Sequence, residues 1–509
     1  MRAAMLLAVC ATFAWAQSFT GSILGTVRDA SGALVPGAKV TVTNVDTNLR
    51  SQETSGTDGF YRANSLPPGN YRVEVTASGF KKSVRERLNL QITQQMQVDV
   101  ALTIGEVVDS IVVTADAVAL ETTTSSIGKV VENRRIVNLP LNTRNVYSLI
   151  YLTPGVSGTI GNSYGEMRYS VNGARARMMD TLIDGVTASH STVNGLSGGI
   201  SVFPSVDAIE EFKVMGSNYS AEYGRSMGSV LNVAFKSGTN ALHGSAYEFL
   251  RNSVLDANNF FDNRLGRGLS SFKRSQFGYV LQGPIKKDKL FFMTSFEGLR
   301  SRSFARRVFT TPTDLERQGN FSQTFNIVSG QPALIQMFDP FSTRANPAGG
   351  NIRDAFPGNV IPSSRFDPVA QNVVKYYPRA NTAGAAITNQ NNYAASGSGQ
   401  NNITQHDYRV DYQINDRQRI FGRYSTRLND NVPLKSFPDE LTIAEGRIVE
   451  EDHVHGGVAD YTNTISGSTI LNVRLGYART LYVYNNQSLG FKPSSLGLPS
   501  GYDIGPDFQ

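Results

Sequence analysis

Asp407-Tyr408-Arg409-Val410-Asp411-Tyr412-Gln413-Ile414 alternates a polar with an apolar side chain at every step, and after Asn415 to Gln418 the alternation resumes from Arg419 to Arg427. Tyr408, Val410, Tyr412 and Ile414 fall on one side of an extended chain; Asp407, Arg409, Asp411 and Gln413 fall on the other. The returning segment sets Ile420, Gly422, Tyr424 and Thr426 against Arg419, Arg423, Ser425 and Arg427. This period of two predicts an antiparallel hairpin with one aromatic and aliphatic face and one charged face. A soluble sheet packed on a core reads the same way as the wall of a transmembrane barrel, so the weight comes from repetition.

The pattern repeats along the second half of the chain. His243 to Phe249 carries Tyr247 and Phe249 on one face and Ala246 and Glu248 on the other. Phe277, Tyr279 and Leu281 alternate with Gly278, Val280 and Gln282, and Pro284 to Asp288 turns the chain into Leu290 to Arg300. There Leu290, Phe292, Thr294 and Phe296 are expected to face lipid. The opposite set, Phe291, Met293, Ser295, Glu297 and Leu299, is less polar than a water-filled lumen requires and suits contact with an enclosed domain. Further strands are expected near Asp452 to Thr462 and Ser468 to Tyr484. In the last, Arg479 shares a face with Val473, Leu475 and Tyr477, which demands either a bulge or a place near the membrane edge. A charge costs about 2 to 4 kcal/mol at the midplane and about 0 to 1 at the interface. The Pro-, Gly-, Asn- and Ser-rich stretch at about 303–402 fits one of a barrel's long outer loops.

Composition sets the outer bounds. The chain has 509 residues, with 47 glycines, 20 prolines, 21 tyrosines and 27 phenylalanines, as a turn-rich β protein with aromatic girdles requires. Its net charge of +6 is interleaved with acidic residues, so no nucleic-acid partner is expected. Met1 to Ala16 has a basic start at Arg2, an apolar run and Ala14-Trp15-Ala16, the pattern of a cleaved export signal. The single cysteine, Cys10, lies inside it, so the exported chain has no disulfide. No later stretch offers eighteen or more uninterrupted apolar residues, and a helical membrane span is not expected.

From Ser22 to Leu102 turn chemistry punctuates about seven short strands, the signature of a small β-sandwich. Gly25-Thr26-Val27 with Asp29 and Gly32, Pro36-Gly37-Ala38, Thr57-Asp58-Gly59-Phe60-Tyr61 and Leu66-Pro67-Pro68-Gly69-Asn70-Tyr71 together resemble the carboxypeptidase regulatory-like domain. The resemblance implies a transthyretin-like sandwich, grouped with carbohydrate-binding-like folds, without peptidase chemistry. A docking module with no ligand and a sugar-binding module are both compatible with it.

After the sandwich, Asp109, Ser110, Ile111, Val112, Val113, Thr114 and Ala115 form an extended, β-branched segment. It reads either as a last strand of the sandwich or as a strand offered to another sheet's edge. By spelling and place it resembles the TonB box, which implies capture by a periplasmic energy-coupling protein of the TonB type. Between about 120 and 240, Asn138-Leu139-Pro140-Leu141-Asn142, Leu152-Thr153-Pro154-Gly155-Val156, Val171-Asn172-Gly173-Ala174-Arg175, Leu182-Ile183-Asp184-Gly185-Val186, Ile209-Glu210-Glu211-Phe212-Lys213-Val214 and Ala221-Glu222-Tyr223-Gly224 resemble the plug of TonB-dependent receptors. Asp184-Gly185 is a turn signal, and Gly224 and Gly228 are expected to permit tight turns or close backbone approach. Phe338-Asp339-Pro340, Pro357-Gly358-Asn359, Ile361-Pro362-Ser363-Ser364-Arg365 and Tyr376-Tyr377-Pro378 resemble loop motifs of the Oar-like subclass.

The expected fold is therefore mainly β. It comprises an export signal at 1–16, a transthyretin-like sandwich at 18–103, a linker at 104–119, an α+β plug at 120–240 and part of a transmembrane antiparallel β-barrel at 241–509. The resemblance implies an outer-membrane receptor, with sandwich and plug facing the periplasm, that takes up a bulky glycan, peptide or siderophore. Its partners are then outer-membrane lipid and the energy-coupling protein, with no cofactor and no enzymatic activity. A secreted or surface carbohydrate-binding adhesin is the alternative. The family's barrel has about 22 strands, whereas the chain offers about seven or eight, too few to enclose a plug. An incomplete barrel, seen as an open, curled sheet, is the expectation.

Two other patterns point to chemistry. Gly-x-Ser-x-Gly occurs around Ser163 and around Ser197, but in glycine-rich loop sequence rather than at the strand-to-helix turn a nucleophile elbow needs. His453 and His455 share one strand face without the further ligands a metal requires.

Overall fold

The computed structural model describes residues 19–503, apart from 106–109, 115–127, 140, 142–143, 161–166, 176–177, 192–197, 217, 225, 265, 267, 439–440, 442–444, 446–447, 467 and 487. Residues 1–16, read above as an export signal and containing Cys10, lie outside the described residues.

Eight short strands between 21 and 102 build the sandwich, one more than the turn signals suggest. Gly21–Asp29, Phe60–Leu66, Gln95–Gln97 and Val100–Leu102 make one sheet. Lys39–Asn44, Arg50–Thr54, Gly69–Thr76 and Lys82–Leu90 make the other, which a fifth strand, Ser110–Thr114, completes at its edge. Alternating inward residues, among them Val40, Val42, Val73 and Val75, fill the space between with Ile23, Tyr61 and Tyr71. Buried tyrosines need a partner for the hydroxyl. Tyr61 donates to the Val98 carbonyl at 2.6 Å and Tyr71 to the Pro67 carbonyl at 2.7 Å.

The plug is a five-stranded mixed sheet in the order Gly128–Glu132, Ile209–Met215, Ser229–Phe235, Met179–Ile183, Val186–Thr187. Ser229–Phe235 is buried at every position, as a central strand covered on both faces must be. A short helix, Asn133–Asn138, and a 3-10 turn, Val146–Leu152, cover it with Ile136, Tyr147 and Ile150. Asp184 and Gly185 have φ of 49° and 75°. Two successive positive φ values make the tight hairpin turn that Asp-Gly favours. Gly228 sits where a Cβ would meet the Ala174 Cβ at 2.6 Å, but Gly224 has nothing within 4 Å. Close approach therefore explains the first glycine and not the second.

Seven antiparallel strands follow in sequential order: His243–Asn252, Phe272–Lys286, Leu290–Phe309, Tyr393–Asn415, Gln418–Val432, Ile448–Ser466 and Thr469–Asn486. Among the described residues the first and seventh do not pair, so the sheet is an open wall. Its third and fourth strands run far beyond the alternating core, and the Gly/Ser-rich segment Ala394–Asn402 pairs with Arg300–Val308. The long loop is consequently shorter than expected, 310–392, and carries its own structure, including a capping box between Thr313 and Glu316. Backbone pairing, which is indifferent to side-chain pattern, carries the ladder into sequence that reads as loop.

The faces sort as the alternation requires. Tyr408 is 47% exposed and Val410 45%, while Asp407 is 0% and Arg409 5%. Ile420, Tyr424, Leu471, Val473, Leu475 and Tyr477 extend the outward apolar face. Phe291, Met293 and Ser295 are buried on the inner face, and Val280 and Met293 join the plug's core. Phe421, between Arg419 and Arg423, is an aromatic residue on the charged side. It is buried against Phe19 at the start of the sandwich, with ring centroids 5.6 Å apart. No bulge interrupts the pairing at Arg479, which stands opposite His455. Ten residues beyond Thr469, on a tilted strand, it lies roughly 23 Å from the turn, near the top of an apolar band about 25 Å tall. Val410 lies near the middle of that band. Val410→Arg should destabilise the membrane-embedded protein by about 2 to 4 kcal/mol and Ile414→Arg by about 0 to 1 kcal/mol, measured by equilibrium unfolding from lipid vesicles.

Candidate functional site: the plug clamp and its neighbours

The Asp184-Gly185 turn projects from the plug sheet toward the inner face of the wall. Arg423 Nε donates to Asp184 Oδ2 at 2.6 Å. Arg409 Nη1 reaches Asp184 Oδ1 at 3.4 Å and the Phe235 carbonyl at 3.2 Å. The Phe235 N–H also donates to Asp184 Oδ1, at 3.1 Å. Asp411 holds Arg409 in a two-point pair, at 2.9 Å from Nε and 2.8 Å from Nη2. Aromatic faces complete the enclosure, with the Arg409 guanidinium 4.4 Å from the Phe421 ring centre and that of Arg423 4.6 Å from Phe235. Asp184 is 0% exposed.

From the seventh strand, Arg474 pairs with Asp460 at 2.9 Å and reaches the Gly185 carbonyl at 3.5 Å. Glycines let the plug seat closely. A Cβ on Gly476 would lie 2.2 Å from Val186, and one on Gly456 would lie 2.7 Å from Val202. On the other side of the plug, Arg144 pairs with Asp207 and lies over Phe249 and Tyr247 of the first strand, 4.0 and 5.0 Å from the ring centres. Tyr247 donates to Glu297 at 2.9 Å.

One plug carboxylate thus serves two wall arginines, and all three side chains are buried. Removing one member of a buried ion cluster leaves uncompensated charge, at a cost of about 3 to 5 kcal/mol. Asp184→Asn keeps the shape and deletes the charge. It should loosen the plug by that amount, read as a lower melting temperature and faster proteolysis within the plug, while the outer face of the wall remains unchanged.

The sandwich is seated beneath the plug. The Ile92 N–H donates to the Glu211 carboxylate, and the Asn240 N–H donates to the Asp46 carbonyl at 2.9 Å. Asp288, in the turn between the second and third wall strands, accepts from Asn48 at 2.9 Å and from Asn240 at 2.6 Å. Burial pushes the Glu211 carboxyl up to about 8, only partly offset by the Ile92 N–H. A carboxyl raised in the docked state is protonated there and favours docking at low pH. Its contribution is complete below its ordinary value of about 4.5 and disappears as pH rises through about 8. Protection of the Ile92 amide, taken relative to its intrinsic base-catalysed exchange rate, should therefore fall between pH 5 and pH 9, and Glu211→Gln should flatten that fall.

Of the segment Asp109 to Ala115, Ser110 to Thr114 form a strand parallel to Lys82–Glu86; Asp109 and Ala115 lie outside the described residues. Ser163 and Ser197 also lie outside them. His453 and His455 are on the outward face, His453 at 3.8 Å from Glu451 and His455 at 2.7 Å from the Tyr424 hydroxyl. Among the described residues no three potential metal ligands converge. The clamp itself escaped sequence reasoning. Arg409 and Arg423 were legible as inward charges, and Asp184 as a turn residue, but 225 residues separate Asp184 from Arg409.

Known families match each region. Residues 234–508 match the family described as outer membrane beta barrel domain, more than half of the chain. The chain belongs to the outer membrane beta barrel domain family. Residues 119–230 match the TonB-dependent receptor plug domain and residues 22–103 the carboxypeptidase regulatory-like domain. The TonB-dependent transporter Oar of Myxococcus xanthus is 32% identical over 301 residues, covering 56% of the chain and 27% of that protein. The chain thus spans about a quarter of the length of this curated relative. Among solved structures, the siderophore receptor PirA of Acinetobacter baumannii aligns with 71% of the chain and 41% of its own length, at 15% identity and a TM-score of 0.40. The outer-membrane transporter YddB of Escherichia coli aligns with 69% of the chain and 38% of its own, at 14% identity and a TM-score of 0.40. No helix among the described residues is long and apolar enough to cross a membrane.

Proposed function

We propose that this chain is the gate-bearing part of a TonB-dependent outer-membrane transporter, in which the plug is held against the wall until energy from a periplasmic partner moves it. The observation that carries the reading is the clamp, where a buried plug carboxylate is gripped by arginines of a wall whose outer face is apolar. Such a contact is strong while dry and weakens once water enters, which suits a stopper that must be both tight and movable. The substrate would meet the outer loops and the upper surface of the plug. Bulky solutes such as glycans, peptides or iron chelates suit a plugged lumen, since small ones need no gate. The Asp109 to Ala115 segment is the handle by which a TonB-type protein would pull, through added-strand pairing. The short turns, at Asn415 to Gln418 and Lys287–Lys289, lie on the sandwich's side, which supports a periplasmic position for the N-terminal domain.

Deleting residues 109–115 from the complete transporter should abolish energy-dependent uptake of its substrate while leaving its outer-membrane level unchanged. Uptake at the wild-type rate would refute the coupling reading. A secreted adhesin would instead fractionate as a soluble protein, and the continuous outward belt of tyrosine, leucine, valine and isoleucine argues against that alternative.

A further inference from the structure

We infer that the coupling segment is presented to its partner as a finished sheet edge, with the sandwich acting as the template. This inference rests on the coupling reading above and adds to it how capture occurs. Ser110–Thr114 pairs in parallel with Lys82–Leu90, with Ser110 opposite Lys82, Ile111 opposite Ser83, Val112 opposite Val84, Val113 opposite Arg85 and Thr114 opposite Glu86. It is the last strand of its five-stranded sheet, and among the described residues no strand pairs with its other side. In a parallel ladder, successive residues direct their N–H and C=O groups to opposite sides, so the outer side of Ser110–Thr114 carries a row of backbone groups that no strand among the described residues pairs with. That row is the chemistry an extended peptide needs to add itself to a sheet.

The consequence is preorganisation. A segment free in solution must be ordered as it is captured, and that entropy is subtracted from the affinity. Here the sandwich has already ordered it as the fifth strand of its sheet. The partner adds a sixth strand without displacing the fifth. The sandwich is in turn tied to the plug through Ile92 and Glu211 and to the wall turn through Asn48 and Asp288. The edge is therefore held at a set distance from the gate. The partner that fits is an extended strand of β-branched residues from a periplasmic protein, and no side-chain pocket is required of it.

The test is a reversible clamp. Neighbouring strands lie about 4.8 Å apart, within the Cα separation a disulfide spans. The double substitution Arg85→Cys with Val113→Cys, in a chain whose one native cysteine is Cys10, joins the strand to its template. Binding of the purified periplasmic domain of the host's TonB-type protein is then measured on the complete transporter, oxidised and reduced. Glu86→Cys with Thr114→Cys provides a second clamp should the first disturb folding. The expected result is a dissociation constant in the oxidised form within about two-fold of the reduced form, or tighter. A loss of ten-fold or more on oxidation, restored by reductant, would show that the strand must be peeled away, which overturns the template inference and leaves the coupling reading intact. If neither form of either clamp binds and the wild-type protein does not bind, the coupling reading falls and this inference with it.

Discussion

A buried carboxylate at Asp184 answers two buried guanidinium groups at Arg409 and Arg423, and the rest of the architecture follows from the need to make that contact. A sheet with lipid on one side can place charge only on its other side, and charge kept from water must be paired. The wall has an excess of arginine near the plug turn, and Asp411 satisfies only part of it. The plug supplies the remainder through a turn whose two positive φ values bring the carboxylate to its tip. The wall and the plug are therefore each electrostatically incomplete without the other.

Close packing buries the contact. Gly456 and Gly476 remove the side chains that would hold the plug away, and Phe235 and Phe421 cover the guanidinium faces. Phe19 and Ile92 of the sandwich join the same apolar cluster as Phe421 and Val458. Sandwich, plug and wall thus meet around one charged centre, and movement of any of them exposes it. Glu211 adds a second, pH-sensitive contact on the side of the plug that meets the sandwich, where burial raises its carboxyl pKa.

Much of this was legible in the amino-acid sequence, because period-two alternation reports directly on which side of a strand faces what. Tyr408, Val410, Arg409 and Arg423 fall where the alternation puts them. Turn chemistry at Asp184-Gly185 was equally readable, since few residues tolerate that backbone. Strand length was not. Ala394 to Asn402 contains the glycine and serine of a loop, yet it continues the ladder because its backbone finds a partner in Arg300–Val308. Phe421 breaks the charged face for a reason visible only once Phe19 is seen beneath it. The pairing of Asp184 with the wall joins two domains far apart in sequence, and no local pattern reports such a pairing.

The most direct measurement is oxygen accessibility of a nitroxide label placed at each position in turn from Gln405 to Ile414 in the membrane-embedded protein. The account predicts a period of two, with maxima at His406, Tyr408, Val410, Tyr412 and Ile414, and protection from both oxygen and a water-soluble relaxation agent at the positions between them. A flat profile, a helical period, or maxima at Asp407, Arg409 and Asp411 would contradict a lipid-facing wall packed against a plug.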